Sequence, residues 1–217
     1  PHTSSQNLAF TEHITNAPVK IRERKLKQEA SIPRKIEDGW EPIIKMKVDD
    51  FDCNALCDLG ASFEYYNADI TRTFPVNGKF TERQKQIYNI VLEANEMIIA
   101  AVKPGLTLRG LNNMVIEFYE KKLAEIGLLE NGKTVRDYYW HGVSHMLGLE
   151  THDVQLSGYE LEPGNVFTVE PGLYLEDEGI GVRIEDDVLI TKDGCINLSE
   201  NIIKEVDDIE KFMKNRR

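Results

Sequence analysis

Three runs decide the fold: Asn165-Val-Phe-Thr-Val-Glu170-Pro-Gly-Leu-Tyr174, Gly181-Val-Arg-Ile-Glu185-Asp-Asp-Val-Leu-Ile-Thr191 and Cys195-Ile-Asn-Leu198. Each is rich in β-branched or aromatic residues, the types that fit a pleated, half-buried surface. Asp193-Gly194 between the last two is a hairpin signal. They read as three successive strands. Working upstream, the pattern changes to helical. Thr81-Glu-Arg-Gln84 has the spacing of a capping box, in which Thr81 caps the N–H of Gln84 and Gln84 reaches back. Ile87, Val91, Ala94, Ile98 and Ala101 then form one apolar helical face, and Pro104-Gly105 ends it. A second helix is expected from Thr107 to Ile126, with Leu108, Leu111, Val115, Phe118 and Ile126 inward and Gly127 as its stop. Strands, two helices, then three strands favour an α+β fold with helices on one face of an antiparallel sheet.

Further upstream, Phe63 to Phe74 reads as one strand, closed by the turn Pro75-Val-Asn-Gly78. Ile43–Val48 and Phe51–Leu56, around Asp49-Asp50, read as a hairpin. Residues 1–41 lack a sustained period and carry a mixed charge run from Lys20 to Glu29. The expected organisation is therefore a polar leader, 1–41, before a catalytic domain, 42–217. A short charged helix is expected over 202–216.

The chain has 217 residues and a formal charge of −11. Residues 1–57 hold nine Lys+Arg and nine Asp+Glu, so the whole excess lies in 58–217. An acidic surface argues against nucleic acid as a partner. No apolar run approaches the roughly 18 residues of a membrane span, so no membrane partner is expected. Three cysteines exclude a disulfide scaffold and fit a reducing, cytoplasmic setting. Cys53 and Cys57 lack a second pair to complete a zinc site.

The chemistry concentrates in two kinds of residue. Three of five histidines, His141, His145 and His152, fall in one 12-residue window among glycines. Four carboxylates, Asp58, Asp69, Glu170 and Glu185, fall in or at the end of apolar strand runs, where burial is expected. A buried carboxylate without a partner is costly, so such groups are paired, protonated or bound to metal. One such acid is explained by strand alternation; four beside a histidine cluster point to a metal centre. Four carboxylates with an imidazole form a hard, oxygen-rich set that favours Mn²⁺, with Co²⁺ or Zn²⁺ as alternatives. Two divalent ions would balance them, and the chemistry of such a pair is hydrolysis.

Five segments, in order, carry a resemblance: Asp58-Leu-Gly60, Asn67-Ala-Asp-Ile-Thr-Arg-Thr-Phe74, His141–Asp153, Thr168-Val-Glu-Pro-Gly-Leu-Tyr174 and Gly181-Val-Arg-Ile-Glu-Asp-Asp187. Through them residues 58–217 resemble the catalytic domain of the creatinase/aminopeptidase P/prolidase superfamily, most nearly Xaa-Pro aminopeptidases. The resemblance implies a truncated pita-bread fold, a curved antiparallel sheet with helices on its outer face. It implies a dinuclear aminopeptidase that cleaves between an N-terminal residue and proline, acting on peptides with proline second, and a homodimer. Asp58 would bind one metal, Asp69 and Glu185 would bridge both, and His145 and Glu170 would complete the second. Glu170 would also take a proton, His152 would contact the substrate, and His141 and Arg183 would line the pocket. Residues 1–62, around Ala55-Leu-Cys-Asp-Leu-Gly-Ala-Ser62, resemble the protease region of plant gypsy-type retroelement polyproteins. Two other readings follow from the junction at Asp58: a catalytically impaired metal-binding fragment of a chimeric or truncated gene, and an aspartic-protease-like fragment.

Overall fold

The computed structural model describes residues 34–36, 39–41 and 53–214. Two short strands, β1 (Arg34–Ile36) and β2 (Gly39–Glu41), pair antiparallel. They lie in the segment expected to be a leader without regular structure. The rest of the leader and the expected arm Ile43–Val48 lie outside the described residues.

The second arm of that expected hairpin survives as β3 (Asn54–Leu59), which pairs antiparallel with β6 (Ile70–Pro75). The single strand expected over 63–74 is instead a tight hairpin followed by β6. The hairpin is β4 (Ser62–Phe63) and β5 (Tyr66–Asn67), joined through Glu64 and Tyr65, both at positive φ. Positive φ at both central residues is the twist a two-residue hairpin needs, and it is more often given to Asn or Gly.

α1 (Glu82–Ala101) starts at the expected capping box, with both Thr81 and Gln84 bonds formed. Ile87, Val91, Ala94 and Ile98 are fully buried. α2 (Leu108–Glu125) is capped by Thr107 and ends before Gly127, whose φ of +74° closes the helix. Leu111 and Val115 are buried as expected, and Tyr119 and Leu123 join them.

The C-terminal strands form a curved surface built from short ladders. β7 (Val166–Val169), β10 (Asp186–Ile190) and β11 (Cys195–Asn197) make an antiparallel sheet in the order β11-β10-β7. β8 (Gly172–Leu175) pairs with β9 (Ile180–Arg183). Thus each long run read as one strand is broken once, at Glu170-Pro171 and at Ile184-Glu185. Asp69 likewise falls in the gap between β5 and β6. The ladder gives way where a carboxylate must turn toward the concave face. Hydrogen bonds across the gaps keep the surface continuous: Glu185 N–H donates to Thr71 O at 3.0 Å and Ile184 N–H to Pro171 O at 3.3 Å. This is the pita-bread fold, over part of its usual extent. α1 packs on β7, β8 and β9, and Phe167, Val169, Leu173, Val182, Ile184 and Val188 bury against the helices.

The terminal helix is shorter than expected: α3 is Val206–Lys214. Ile202 and Ile203 stay out of it because their carbonyls accept hydrogen bonds from Arg72. Among the described residues, no helix is long and apolar enough to cross a membrane.

Candidate metal centre

The histidine segment lies along the edge of β7. Thr168 N–H donates to His145 O at 3.0 Å and Glu170 N–H to Val143 O at 2.8 Å. His145 N–H donates to Thr168 Oγ1 at 3.2 Å. From α2, Asn112 Oδ1 accepts from Val143 N–H and from the Tyr139 hydroxyl, fixing the start of the segment. Gly148 has no room for a Cβ beside the Asp153 carboxylate.

These bonds aim His145 at the carboxylates. Its Nε2 lies 3.5 Å from Asp69 Oδ2, 3.6 Å from Glu170 Oε1 and 3.9 Å from Glu185 Oε1. Asp58, Asp69 and Glu185 each present an oxygen within 4.8 Å of the others, as do the donor atoms of His145, Glu170 and Glu185. A third such group joins His152 to Asp69 and His145. His152 is exposed and packs its ring against His145, with centroids 4.1 Å apart. His141 stands slightly apart: its Nε2 meets the Tyr174 hydroxyl at 2.8 Å, and its Nδ1 is 3.9 Å from Glu170 Oε2. Arg183 donates to Asp58 Oδ2 at 2.5 Å, to Thr71 Oγ1 at 3.0 Å and to Tyr174 at 3.3 Å. All eight residues singled out in the sequence thus meet in one concavity.

The electrostatics are those of crowded acids. Burial, then the Asp69 carboxyl, pushes Asp58 up to about 6 against the pull of Arg183. Burial favours the neutral form of Asp69 too, but hydrogen bonds from His145 and Asp58 outweigh it and hold Asp69 low. Burial lifts Glu170 to about 7, with His145 and Arg183 opposing. Glu185, only 2 % exposed, is driven well above the usual range by burial and by Glu170 and Asp69. Burial works against a charged His145, yet its bond to Asp69 keeps its pKa raised. His141 is lowered to about 4, chiefly by burial.

Without cations, the carboxylates need protons to share this space. A cation held by oxygen and imidazole donors removes that need, so the donor set fits divalent metal. Sequence reasoning missed four supporting residues. Thr71 Oγ1 donates to Glu185 Oε2 at 2.5 Å. Thr168 bonds His145 and Glu170, Tyr174 links His141 to Arg183, and Asp187 Oδ2 accepts from Asp69 N–H at 3.2 Å. Thr71 and Thr168 are fully buried. Hydroxyls in apolar strands flanking acids were the available signal.

Residues 35–192 match the model of metallopeptidase family M24, a match that begins upstream of Asp58. The Xaa-Pro aminopeptidase of Escherichia coli is 41% identical over 177 residues, covering 73% of this chain and 40% of that protein. A solved Bacillus anthracis chain assigned as an aminopeptidase P is 52% identical with a TM-score of 0.72, covering 75% of this chain and 39% of that one. Zinc-substituted E. coli aminopeptidase P, solved with product, is 40% identical with a TM-score of 0.71, over 76% of this chain and 42% of that one. This chain spans about two fifths of the length of the curated relatives it matches.

Proposed function

The chain belongs to metallopeptidase family M24, and from that premise we propose that it is an aminopeptidase releasing an N-terminal residue that precedes proline. The observation that carries this reading is the convergence of Asp58, Asp69, His145, Glu170 and Glu185 on one volume. Their ligand chemistry suits two divalent ions, Mn²⁺ foremost; Asp58 would hold one, His145 and Glu170 the other, and Asp69 and Glu185 would contribute to both. When bound, such ions acidify a water and polarise the scissile carbonyl.

The side chains do the rest. Glu170 accepts the proton of the attacking water and delivers it to the proline nitrogen as the C–N bond breaks. His152, exposed beside His145, donates to the oxygen on which charge develops. His141 stays neutral: with Nδ1–H on Gly142 O, its Nε2 accepts from the Tyr174 hydroxyl. Arg183 fixes Asp58 and Tyr174 together, and Trp140, stacked on Tyr174 and 58 % exposed, forms an apolar wall for the peptide.

The test is release of the first residue from an Xaa-Pro-Xaa peptide by the metal-loaded chain. Activity that needs Mn²⁺ and disappears in His145→Ala supports the reading. A metal-loaded, folded chain that leaves the peptide intact contradicts it.

A further inference from the structure

Behind the acids, on the other side of β6, lies a second charged cluster. Arg72 is 4 % exposed, and each of its donor groups is engaged. Its Nε–H donates to Ile203 O at 3.1 Å. Nη1 donates to Thr71 O at 2.9 Å and to Glu185 O at 2.6 Å. Nη2 donates to Asp186 Oδ1 at 2.6 Å and to Ile202 O at 3.3 Å. A guanidinium has five N–H donors, and these bonds use all of them. Asp186 is fully buried, and its other oxygen accepts from Lys204 Nζ at 2.9 Å and Asn197 Nδ2 at 3.1 Å.

The geometry points to Arg72 as a positioning residue for the Glu185 carboxylate, with Asp186 as its anchor. Glu185 lies in the gap between β9 and β10, outside both ladders. That gap lets its side chain turn to the concave face, but it takes the main-chain carbonyl away from strand pairing. A buried carbonyl left without a donor is costly. Arg72 supplies that donor. The same Nη1 also holds Thr71 O, which accepts the Glu185 N–H. Thr71 Oγ1 in turn holds Glu185 Oε2. One guanidinium thus fixes the peptide on both sides of the carboxylate and the residue that orients it.

Lysine cannot replace it. Its ammonium could keep the ion pair with Asp186, but three donors on a point charge cannot span Thr71, Glu185 and the 202–203 carbonyls together. Asp186 adds direction: its carboxylate, held from the far side by Lys204 and Asn197, fixes the plane of the guanidinium.

This inference rests on the reading of Glu185 as a metal ligand. The experiment titrates Mn²⁺ into metal-free full chain by calorimetry and records a thermal melt, for wild type, Arg72→Lys and Leu111→Ala. Leu111 lies in the helical core, so its variant reports the effect of lost stability alone. Arg72→Lys is expected to weaken Mn²⁺ binding about 10- to 100-fold, as loss of groups that orient ligands does. It also lowers kcat on an Xaa-Pro peptide while KM stays unchanged. Leu111→Ala is expected to melt lower with near wild-type Mn²⁺ affinity. Wild-type affinity in Arg72→Lys, or equal weakening in both variants, overturns the proposal. If Arg72→Lys does not melt cooperatively, Asp186→Asn takes its place; there weakened binding supports the proposal and unchanged binding overturns it. A wild-type chain that binds no Mn²⁺ overturns the metal-centre reading itself, and this proposal with it.

Discussion

Arg183 Nη2 donates to Asp58 Oδ2 at 2.5 Å, joining β9 to β3 through an ion pair at the edge of the acidic cluster. The two residues are 125 positions apart in sequence. Arg183 is the cation that draws Asp58 back toward its ionised form against burial and Asp69. The pairing keeps one carboxylate ready for metal while its neighbours crowd it.

Arg183→Met is therefore expected to weaken metal binding and to move its onset to higher pH. With the guanidinium gone, the pKa of Asp58 rises above about 6, and metal must displace a proton held more tightly. The pH dependence of Mn²⁺ affinity in the two proteins checks this.

Metal-free protein should lose stability as pH rises from about 4 to about 7. Asp58, Glu170 and Asp187 have folded pKa values of about 6, 7 and 7, all raised from ordinary carboxylate values. Between the unfolded and folded values, the folded state binds more protons. The penalty for ionising these groups is absent below the unfolded pKa and complete above the folded one. His145, raised from the ordinary histidine value, acts in the same direction at the top of this range; His141, lowered to about 4, opposes across it, and the lowering of Asp69 acts only below about pH 4. Thermal melts in chelator across this range give the slope. Mn²⁺ should flatten it, since cations replace the protons.

Thr71→Val keeps shape and removes a hydroxyl that donates to Glu185 and accepts from Arg183. Leaving buried polar atoms without that partner costs about 1–3 kcal/mol. Denaturant unfolding of the metal-free variant reads this loss.

In the helical layer, Leu111→Ala should cost about 2–5 kcal/mol, the range for truncating a buried leucine. Leu111 is fully buried on α2, away from the acids. The same unfolding measurement checks it, and a loss under 1 kcal/mol would show that the helix packs loosely there.

The helices were legible because their signals are local: Thr81 and Gln84 lie within one turn, and Gly127 closes α2 by its own backbone. The acids were legible because each interrupts an apolar run. The breaks they cause were less so. Ile180–Ile190 has the composition of an unbroken strand, and only the fold requires Glu185 to leave the ladder; after Glu170 a local cue did exist, the dipeptide Pro171-Gly172, and the strand reading ran through it. Arg72 shows the same limit from another side. Strand alternation places it opposite Thr71 and Thr73, toward solvent. It is buried because the segment Ile202–Lys204 folds over that face. A contact separated by about 130 residues leaves no trace in the local pattern. Tyr174 was passed over as a strand aromatic, and its role appears only when His141 and Arg183 arrive on either side.

The account turns on the acids and His145 forming a site for two metal ions. A calorimetric titration of metal-free chain with Mn²⁺ tests this most directly, with Glu185→Gln as comparison. The account predicts saturation at two ions per wild-type chain and a large loss of affinity in the variant. A cooperatively folding wild-type chain that takes up no Mn²⁺, or binds it equally well after Glu185→Gln, would contradict it.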